Sequence, residues 1–300
     1  MAVSDEALQK YRRAGKIAAE VREHMRRTVA EGMPIIDICE ETESLIREKG
    51  GKPAFPCNVS VNEVAAHYTS PLGDKRTIPA SSVVKVDIGV HVNGYIADTA
   101  VTVCFNSEYD MMVRTSEEAL ETGIKMLRPG LPISRFGSVI EKTIETRGYK
   151  PVSNLTGHQL GRYLVHAGKS LPNIVHFSMA RVNAGEIYAI EPFVTVTEAA
   201  GRIEYGKETH IFRFLKHKSL KNEYARQLLD YIFKNFQTLP FTERWLQKIV
   251  PPDRYKMAFK ELLSSKALMS YPVFIEASGK PVAQAEHTVL VTKDGCQVLT

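Results

Sequence analysis

The chain of 300 residues is 44% hydrophobic and 24% charged, and its formal net charge is +5 at pH 7. These proportions are ordinary for a globular protein with a large core, and no apolar run approaches the roughly 20 residues that a membrane span needs. The four cysteines are scattered without a C-x-x-C spacing, which argues against a disulfide framework and a zinc knuckle.

The N-terminal segment indicates in which cellular compartment the protein is expected. Residues 1–8 contain an early acidic pair and no hydrophobic segment, so we predict no signal peptide. Together with the scattered cysteines, this predicts a cytoplasmic protein in a reducing environment that does not associate with a membrane.

Hydrophobic periodicity predicts helices and strands in a definite order along the chain. An amphipathic helix is expected at 5–29 and a second helix at 36–49, which Gly50-Gly51 ends. A loop with a short strand is expected at 53–68. The elements predicted after it are strands 83–90 and 94–104 with a hairpin turn at Asn93-Gly94, helices 115–127 and 134–147 with Ser134 as the N-cap of the second, and strands 187–197 and 281–293.

Each of the four later strands carries a carboxylate in an apolar setting: Asp87, Asp98, Glu191 and Glu286. A lone buried carboxylate costs several kcal/mol, so buried acids are normally paired or bound to a metal ion. Four acids of this kind indicate a cation, and oxygen ligands without thiolates suit a hard or borderline divalent ion.

The order of two acid-bearing strands, two helices and two further acid-bearing strands resembles a degenerate internal duplication. The segment around Asp87 corresponds in character to that around Glu191, and the segment around Asp98 to that around Glu286. Chance is an open alternative at this level of similarity. A true duplication predicts a sheet with pseudo-twofold symmetry and the four acids near its axis.

Residues 205–275 lie between the last two acid-bearing strands and are predicted to be mainly helical. Helices are expected at Glu223–Phe236, Thr242–Ile249 and Pro252–Lys266. Residues 205–270 contain 13 Lys and Arg against 6 Asp and Glu, a net charge of +7. Such a charge asymmetry indicates either a docking face for an anionic partner or a solvated helical surface.

Histidines add a second kind of metal ligand. His158 lies in a glycine-flanked segment, Gly157 to Gly161, and His67 and His166 lie in apolar segments. The remaining six histidines are interpreted as structural or surface residues, and Asp74, Asp110 and Glu276 as solvated acids. Four acids and a histidine can hold two divalent ions that activate water for hydrolysis. These ligand types leave phosphoester and peptide hydrolysis both open.

Eight segments recur together in one known family, in this order and with compatible spacing. They are Ala54-Phe55-Pro56-Cys57-Asn58, Ala65-Ala66-His67-Tyr68, Val86-Asp87-Ile88-Gly89, Ile96-Ala97-Asp98-Thr99-Ala100, Gly157-His158, His166-Ala167-Gly168-Lys169, Ile190-Glu191-Pro192-Phe193 and Ala283-Gln284-Ala285-Glu286-His287-Thr288. Over nearly its whole length the chain resembles the type 2 methionine aminopeptidases, and archaeal members most, since it lacks the long charged N-terminal extension of eukaryotic ones.

The resemblance implies an α/β (α+β) pita-bread fold of the creatinase/aminopeptidase kind, with residues 1–204 and 276–300 as the catalytic domain and 205–275 as the helical type 2 insertion. It implies removal of the initiator methionine from nascent proteins, favouring a small second residue, so the Met1-Ala2 start predicts self-processing. Two divalent ions (Co, Mn, Fe or Zn) would activate the attacking water. A monomer is expected.

The resemblance also implies a role for each site residue. Asp87 would chelate one ion, Asp98 and Glu286 would bridge both, and His158 and Glu191 would complete the second site. Glu191 would also exchange protons with the attacking water. The substrate-facing residues would be His67, His166, Phe55 and Tyr271. Ala285 departs from the phenylalanine that many members carry.

Three other classes of protein compete with this interpretation. Xaa-Pro peptidases of the same fold use the same five ligand types but carry an additional N-terminal domain and lack the helical insertion. A non-catalytic pita-bread protein that binds ribosomes or nucleic acid would be expected to lose ligands. A phosphoesterase would need a phosphate cradle, which the sequence near the acids does not contain. Weak ribosome docking through Lys216, Lys218, Lys221, Arg226 and Lys234 is compatible with the peptidase.

Overall fold

The computed structural model describes residues 4–300, so the predicted self-processing at Met1-Ala2 lies outside the described part. Two 3-10 helices lie at Ser107–Tyr109 and Glu243–Leu246. The α-helices are α1 (Asp5–Thr28), α2 (Ile35–Glu48), α3 (Asp110–Met126), α4 (Ile133–Glu145), α5 (Glu223–Phe236) and α6 (Pro252–Ser264). Among residues 4–300 no helix is both long and apolar enough to cross a bilayer.

The strands form four small sheets. They are β1 (Lys52–Pro53), β2 (Asn58–Val61), β3 (Val64–Ala66), β4 (Val83–Val92), β5 (Tyr95–Cys104), β6 (Tyr149–Pro151), β7 (Thr156–Leu160), β8 (Ser170–Pro172), β9 (Ile187–Ile190), β10 (Phe193–Val196), β11 (Ile203–Phe214), β12 (Leu268–Glu276), β13 (Val282–Gln284), β14 (His287–Val291) and β15 (Cys296–Val298). The sheets are β1-β4-β2 with β5 on β4, β13-β10-β6, β11-β12-β3 and β15-β14-β9-β7-β8.

The hairpin of β4 and β5 forms as predicted. Asn93 and Gly94 both have positive φ, 51° and 86°, as a two-residue turn that follows the strand twist requires. The antiparallel register pairs Gly89 with Asp98 and Asp87 with Ala100. Both acids therefore lie in the same stretch of the hairpin.

The strands predicted at 187–197 and 281–293 are each interrupted, and the prediction of continuous strands is wrong there. Ile190 pairs with His287 in one sheet, whereas Phe193 pairs with Gln284 in another. Glu191-Pro192 and Ala285-Glu286 lie between them, opposite each other. Proline cannot donate to a ladder, and the two sheets separate here. Glu191 thus occupies a break, and Glu286 retains only an isolated bridge with Ala100.

Two helical layers cover the two halves of the molecule. α1 and α2 pack on β4 and β5 through one buried apolar cluster that includes Val21, Ile38 and Val86. α3 and α4 pack on β9, β10 and β14 through a second cluster that includes Phe136 and Tyr188. The arrangement matches the pseudo-twofold pita-bread fold. α4 begins at Ile133 after Pro132, without a side-chain cap, so Ser134 is not its N-cap.

Residues 203–276 form a unit that begins and ends in long strands. β11 and β12 pair with each other, and β12 also pairs with β3. α5 and α6 occur where helices were predicted, and the middle helix is a short 3-10 turn. A third apolar cluster, including Phe241 and Leu262, lies within this unit. The two strands were not predicted, and they connect the helices to the wall of the central pocket.

Candidate metal centre

The acids of the two halves meet with one histidine in a buried cluster. His158 Nε2 lies 3.2 Å from Glu191 Oε1 and 3.7 Å from Asp98 Oδ2. Asp98, His158 and Glu286 each offer a ligand atom within 4.8 Å of the others. Asp87 and Asp98 are close enough for their charges to repel each other. The structure thus brings together all five residues named as ligands.

A glycine permits the close approach of the histidine strand. β7 pairs with β9, and His158 lies opposite Ala189. A Cβ on Gly157 would lie 2.5 Å from the carbonyl oxygen of Ala189 and 3.4 Å from the amide nitrogen of Glu191. A side chain at this position would push β7 away. Gly157 therefore sets the short distance between His158 and Glu191.

Threonine side chains join the two halves beside an isolated antiparallel bridge between Ala100 and Glu286. Thr99 Oγ1 donates to the carbonyl oxygen of Glu286 at 2.8 Å, and Thr102 Oγ1 donates to that of Gln284 at 2.6 Å. Thr288 Oγ1 accepts from the amide of Asp98 at 2.7 Å and donates to its carbonyl at 2.8 Å. These three residues, which we call the threonine clasp, hold Asp98 and Glu286 in register.

The carboxyl groups have raised pKa values, which a bound cation would lower. Burial, followed by repulsion from neighbouring acids, raises the pKa of Asp87, Asp98 and Glu286 well above the usual range. Burial raises the pKa of Glu191 to about 8. Within residues 4–300, Asp87 Oδ1 and Asp98 Oδ1 are buried without a hydrogen-bond partner. Such orphaned acceptors fit divalent metal ions.

Three imidazoles surround the acids and are held neutral. Burial is the main cause that lowers the pKa of His67 and His158 to about 4 and that of His166 to about 3. The rings of His158 and His166 lie 4.3 Å apart. His67 has a left-handed backbone, with φ of 65°. A neutral imidazole can both accept and donate one hydrogen bond, which suits ligation and proton transfer.

The acid cluster forms the polar end of a cavity of about 530 Å³. Its other walls are mainly apolar and include Phe55, Val165, Ile211, Pro240 and Tyr271. The ring of Phe55 occupies space that a Cβ at Gly89 would enter at 2.3 Å. His67, His166, Phe55 and Tyr271, the residues predicted to face the substrate, all line this cavity.

Two polar residues of the site were missed at the sequence level. Gln284 is buried, and its Nε2 lies 3.2 Å from Glu191 Oε2 and 3.4 Å from Glu286 Oε2. Asn58 pairs with Asp87 across β2 and β4 and lines the cavity. A signal for Gln284 existed, because residues two apart along an extended chain share a face and Gln284 precedes Glu286 by two.

Some residues outside the site differ from their predicted environment. Glu276 is 1% exposed and accepts hydrogen bonds from the amides of Gly201, Ser278 and Lys280. Asp74 accepts from Tyr68 and Ser70. The interpretation of both as solvated acids is wrong, since they order loops. Asp110 is exposed as expected.

Ala285 and His287 flank Glu286 and point away from the acids. Ala285 belongs to the buried cluster that also contains Met112 and Ala119 of α3. His287 contacts Arg22 on the face opposite the cluster, as predicted for a neighbour in an extended chain. The absence of a phenylalanine ring at position 285 thus changes the packing of the core under α3 and not the positions of the five ligand residues.

Comparisons with known proteins point to one family. The family model "Metallopeptidase family M24" matches residues 9–293. A curated methionine aminopeptidase of Methanothermobacter thermautotrophicus is 44% identical over 296 residues, covering 98% of each chain. A solved methionine aminopeptidase of Thermotoga maritima superposes with a TM-score of 0.73 at 22% identity, covering 100% of this chain and 98% of that one. A thermophilic Arx1 superposes with a TM-score of 0.83 at 18% identity, covering 99% and 91%.

Proposed function

The chain belongs to metallopeptidase family M24, and we propose that it removes the N-terminal methionine from polypeptides whose second residue is small. It is a metal-dependent hydrolase of the aminopeptidase class. The strongest support for the proposal is the position of His158. Its Nε2 lies 3.2 Å from Glu191 and 3.7 Å from Asp98, at the polar end of a mainly apolar cavity.

The five clustered residues would hold two divalent ions. Asp87 would bind one, His158 and Glu191 the other, and Asp98 and Glu286 would lie between the two. The ions would supply an activated water and polarise the scissile carbonyl. Cobalt, manganese, iron and zinc all accept carboxylate and imidazole ligands, and metal availability decides among them.

The chain's own residues would position and protonate the reactants. Glu191 Oε2 is held by Gln284 Nε2 at 3.2 Å, and Oε1 faces His158 Nε2 at 3.2 Å. Glu191 would exchange a proton with the attacking water. Without a bound cation, burial raises the pKa of the Glu191 carboxyl to about 8, and a bound cation would lower it. Neutral His67 and His166 would donate hydrogen bonds to the developing oxyanion or the leaving amine.

The cavity walls would select the first residue. Phe55, Tyr271 and Ile211 present apolar surface, and no charged residue other than the acid cluster lines the cavity within residues 4–300. An unbranched thioether side chain suits such irregular apolar walls. The His67 and His166 rings narrow the space next to the acids, which favours a small residue at the second position.

A direct test compares two peptides with added divalent metal. Release of methionine from Met-Ala-Ser, with no cleavage of an X-Pro dipeptide, supports the proposal, whereas the reverse identifies an Xaa-Pro peptidase of the same fold. Glu286→Gln should remove Met-Ala-Ser hydrolysis and keep the fold. Glu204→Gln, an exposed matched control, should leave it unchanged. Near-normal turnover by Glu286→Gln at saturating metal would overturn the assignment.

We further propose that residues 205–275 form an insertion subdomain that docks weakly on ribosomes in the cytoplasm. Its candidate residues Lys216, Lys218, Lys221, Arg226 and Lys234 are all exposed. The ring of His217 lies among them, 4.9 Å from that of Phe214 and 4.8 Å from that of Phe233. Basic side chains interleaved with aromatic rings favour contact with anionic RNA.

Ribosome co-sedimentation at low and high salt tests the docking. Lys216→Glu, Lys218→Glu and Lys221→Glu together should weaken co-sedimentation and leave Met-Ala-Ser hydrolysis unchanged. The control variant reverses the charge of three exposed lysines elsewhere by replacing Lys75, Lys142 and Lys293 with glutamate. A wild-type protein that does not co-sediment even at low salt would show that the charge is only a solvated surface. Light scattering of the wild-type protein without ribosomes tests whether it is a monomer, as we propose.

A further inference from the structure

We propose that Tyr205 and Phe274 form an aromatic platform that binds the substrate beyond its second residue and favours an aromatic or bulky apolar side chain there. This inference rests on the proposed methionine-removing function. It adds a ligand class that the metal centre and the methionine pocket do not determine, namely the third and fourth residues of the polypeptide.

The platform consists of residues that lie side by side on three neighbouring strands. Tyr205 of β11 pairs with Phe274 of β12, and Phe274 pairs with Ala66 of β3, directly before His67. The rings of Tyr205 and Phe274 are stacked with centroids 5.6 Å apart and an interplanar angle of 26°. The rings of Phe274 and His67 lie 4.1 Å apart. A continuous aromatic surface thus runs outward from a residue beside the metal centre.

The outer end of this surface is open to solvent. Tyr205 is 76% exposed and Met269 is 40% exposed, although both line the same cavity as the acids. Single exposed apolar residues are common on proteins. The Tyr205 ring differs from such isolated residues because it stacks on the wall of a catalytic cavity. It continues the surface along which the bound substrate chain must pass out of the cavity.

The substrate's own geometry places its later residues on this surface. The first side chain would fill the cavity and the first carbonyl would lie at the acids, so the rest of the chain must exit through the mouth. An extended chain advances about 3.3–3.6 Å per residue. The 5.6 Å step from Phe274 to Tyr205 is therefore covered by about two residues. Aromatic rings stack favourably on such a platform.

Peptides that differ only beyond the second residue test the platform. Wild-type protein should cleave Met-Ala-Trp-Gly or Met-Ala-Gly-Trp about three- to tenfold more efficiently in kcat/KM than Met-Ala-Gly-Gly, a difference of the size that one aromatic contact gives. Tyr205→Ala should abolish this preference by raising KM, with kcat unchanged, because the contact acts equally in ground and transition states. Tyr205→Phe should retain it.

The control is Phe177→Ala, since Phe177 is 88% exposed and does not line the cavity. This variant should keep the wild-type preference. Equal cleavage of all three peptides by wild type, or a preference that survives in Tyr205→Ala, would overturn the platform. Failure of every peptide to release methionine with added metal would instead overturn the proposed function, so the two failures are distinguishable.

A separate observation concerns the face behind the acids. We infer that Arg22 of α1 is a positioning residue for Asp98 and Glu286. Arg22 is 8% exposed, and its Nη1 lies 2.6 Å from Thr99 Oγ1 and 2.9 Å from His287 Nδ1. Thr99 and His287 directly follow the two acids, and neighbours in an extended chain point to opposite faces.

One guanidinium thus fixes both segments from behind. Thr99 extends this chain of hydrogen bonds to the second segment, because its hydroxyl donates to the carbonyl oxygen of Glu286. A planar guanidinium offers several donors in a fixed geometry, which a lysine cannot reproduce. Arg22 makes no hydrogen bond or ion pair with the acid side chains, so it acts on them through the backbone that carries them and through the attraction between its charge and Glu286.

Calorimetric titration of the metal-free protein with Mn²⁺ tests this role independently of catalysis. Arg22→Met should weaken Mn²⁺ binding about tenfold, the lower end of effects seen for residues that orient metal ligands, and Arg22→Lys should restore it only in part. Arg26→Met, an exposed arginine of the same helix, is the control. Arg22→Gln serves if the methionine variant fails to fold. A lowered melting temperature with unchanged Mn²⁺ affinity would show a purely structural arginine.

Discussion

The two histidines that face the cavity have different surroundings. The ring of His166 lies 4.3 Å from that of His158, and its pKa is lowered to about 3 by burial and then by His158. His67 packs between Phe274 and Tyr271, and its Nδ1 has no hydrogen-bond partner among residues 4–300. Both rings line the cavity, where a substrate would contact them.

Replacing His166 by alanine should separate catalysis from metal binding. We expect kcat for Met-Ala-Ser to fall by ~10²–10⁴, the range of acid–base and oxyanion partners, with metal content at the wild-type level by elemental analysis. The same outcome is expected for His67→Ala. His176→Ala, outside the cavity, should change neither quantity. Metal lost in proportion to activity in His166→Ala would make it a ligand.

Individual residues of the site were predictable to different degrees. Asp87 and Asp98 stand out as acids in apolar strands, whereas the roles of His67, His158 and His166 came only from family resemblance. Asn58 and Arg22 gave no sequence signal, because a polar residue that is buried only by tertiary contacts resembles a surface residue in the sequence. Lys85 is the extreme case: it is fully buried and donates to the carbonyls of Asn62 and Val282.

At the scale of elements, local signals were reliable and changes of strand partner were not. The Asn93-Gly94 turn and the two long helices of residues 205–275 follow from local residue preferences. The breaks at Glu191 and Glu286 arise because each strand changes its partner sheet there, which depends on contacts distant in sequence. β11 and β12 were missed for the same reason, since their pairing spans the intervening helices.

The pairing of β7 with β9 provides a prediction at this scale. Gly157→Ala would place a Cβ 2.5 Å from the carbonyl oxygen of Ala189. We expect a loss of about 1–3 kcal/mol in the free energy of unfolding, typical of forced overpacking, measured by urea denaturation, together with weaker metal binding. Gly295→Ala, where a Cβ meets nothing within 4 Å, should be neutral. Unchanged metal affinity in Gly157→Ala would show that β7 tolerates the displacement.

At the scale of the whole molecule, the acids lie between two separately packed halves. One apolar cluster lies under α1 and α2 and another under α3 and α4, and each half contributes carboxylates to the cluster. The metal-free protein must therefore place mutually repelling groups where its halves meet. Bound cations would convert that repulsion into attraction, so metal binding and the association of the halves should be coupled.

This coupling predicts a pH dependence. Acids whose pKa is raised in the folded state contribute stability that is present below about pH 4.5 and is lost as pH rises through the folded values, about 8 for Glu191. Divalent ions require the deprotonated carboxylates. The melting-temperature difference between metal-loaded and EDTA-treated protein should therefore grow from pH 6 to pH 8. Scanning calorimetry measures it, and a constant difference would contradict the prediction.

Glu191→Gln supplies the control for this experiment. It removes one titrating carboxyl and keeps the shape of the side chain, so the metal-dependent difference should rise less steeply with pH. Glu204→Gln should reproduce the wild-type slope, because its side chain is exposed and lies outside the cavity.

The threonine clasp has a consequence for the choice of ion. A strand ladder can shift only by whole residues, because a one-residue slip turns every side chain to the other face. Hydroxyl groups rotate about one bond, and their hydrogen bonds tolerate lengths from about 2.5 to 3.0 Å. The gap between the side chains of Asp98 and Glu286 can thus widen or narrow by tenths of an ångström about the isolated backbone bridge of Ala100 with Glu286, without a change of register. We therefore expect ions of different radius to fit the same residues, so that the cell's metal supply sets which ion the enzyme carries.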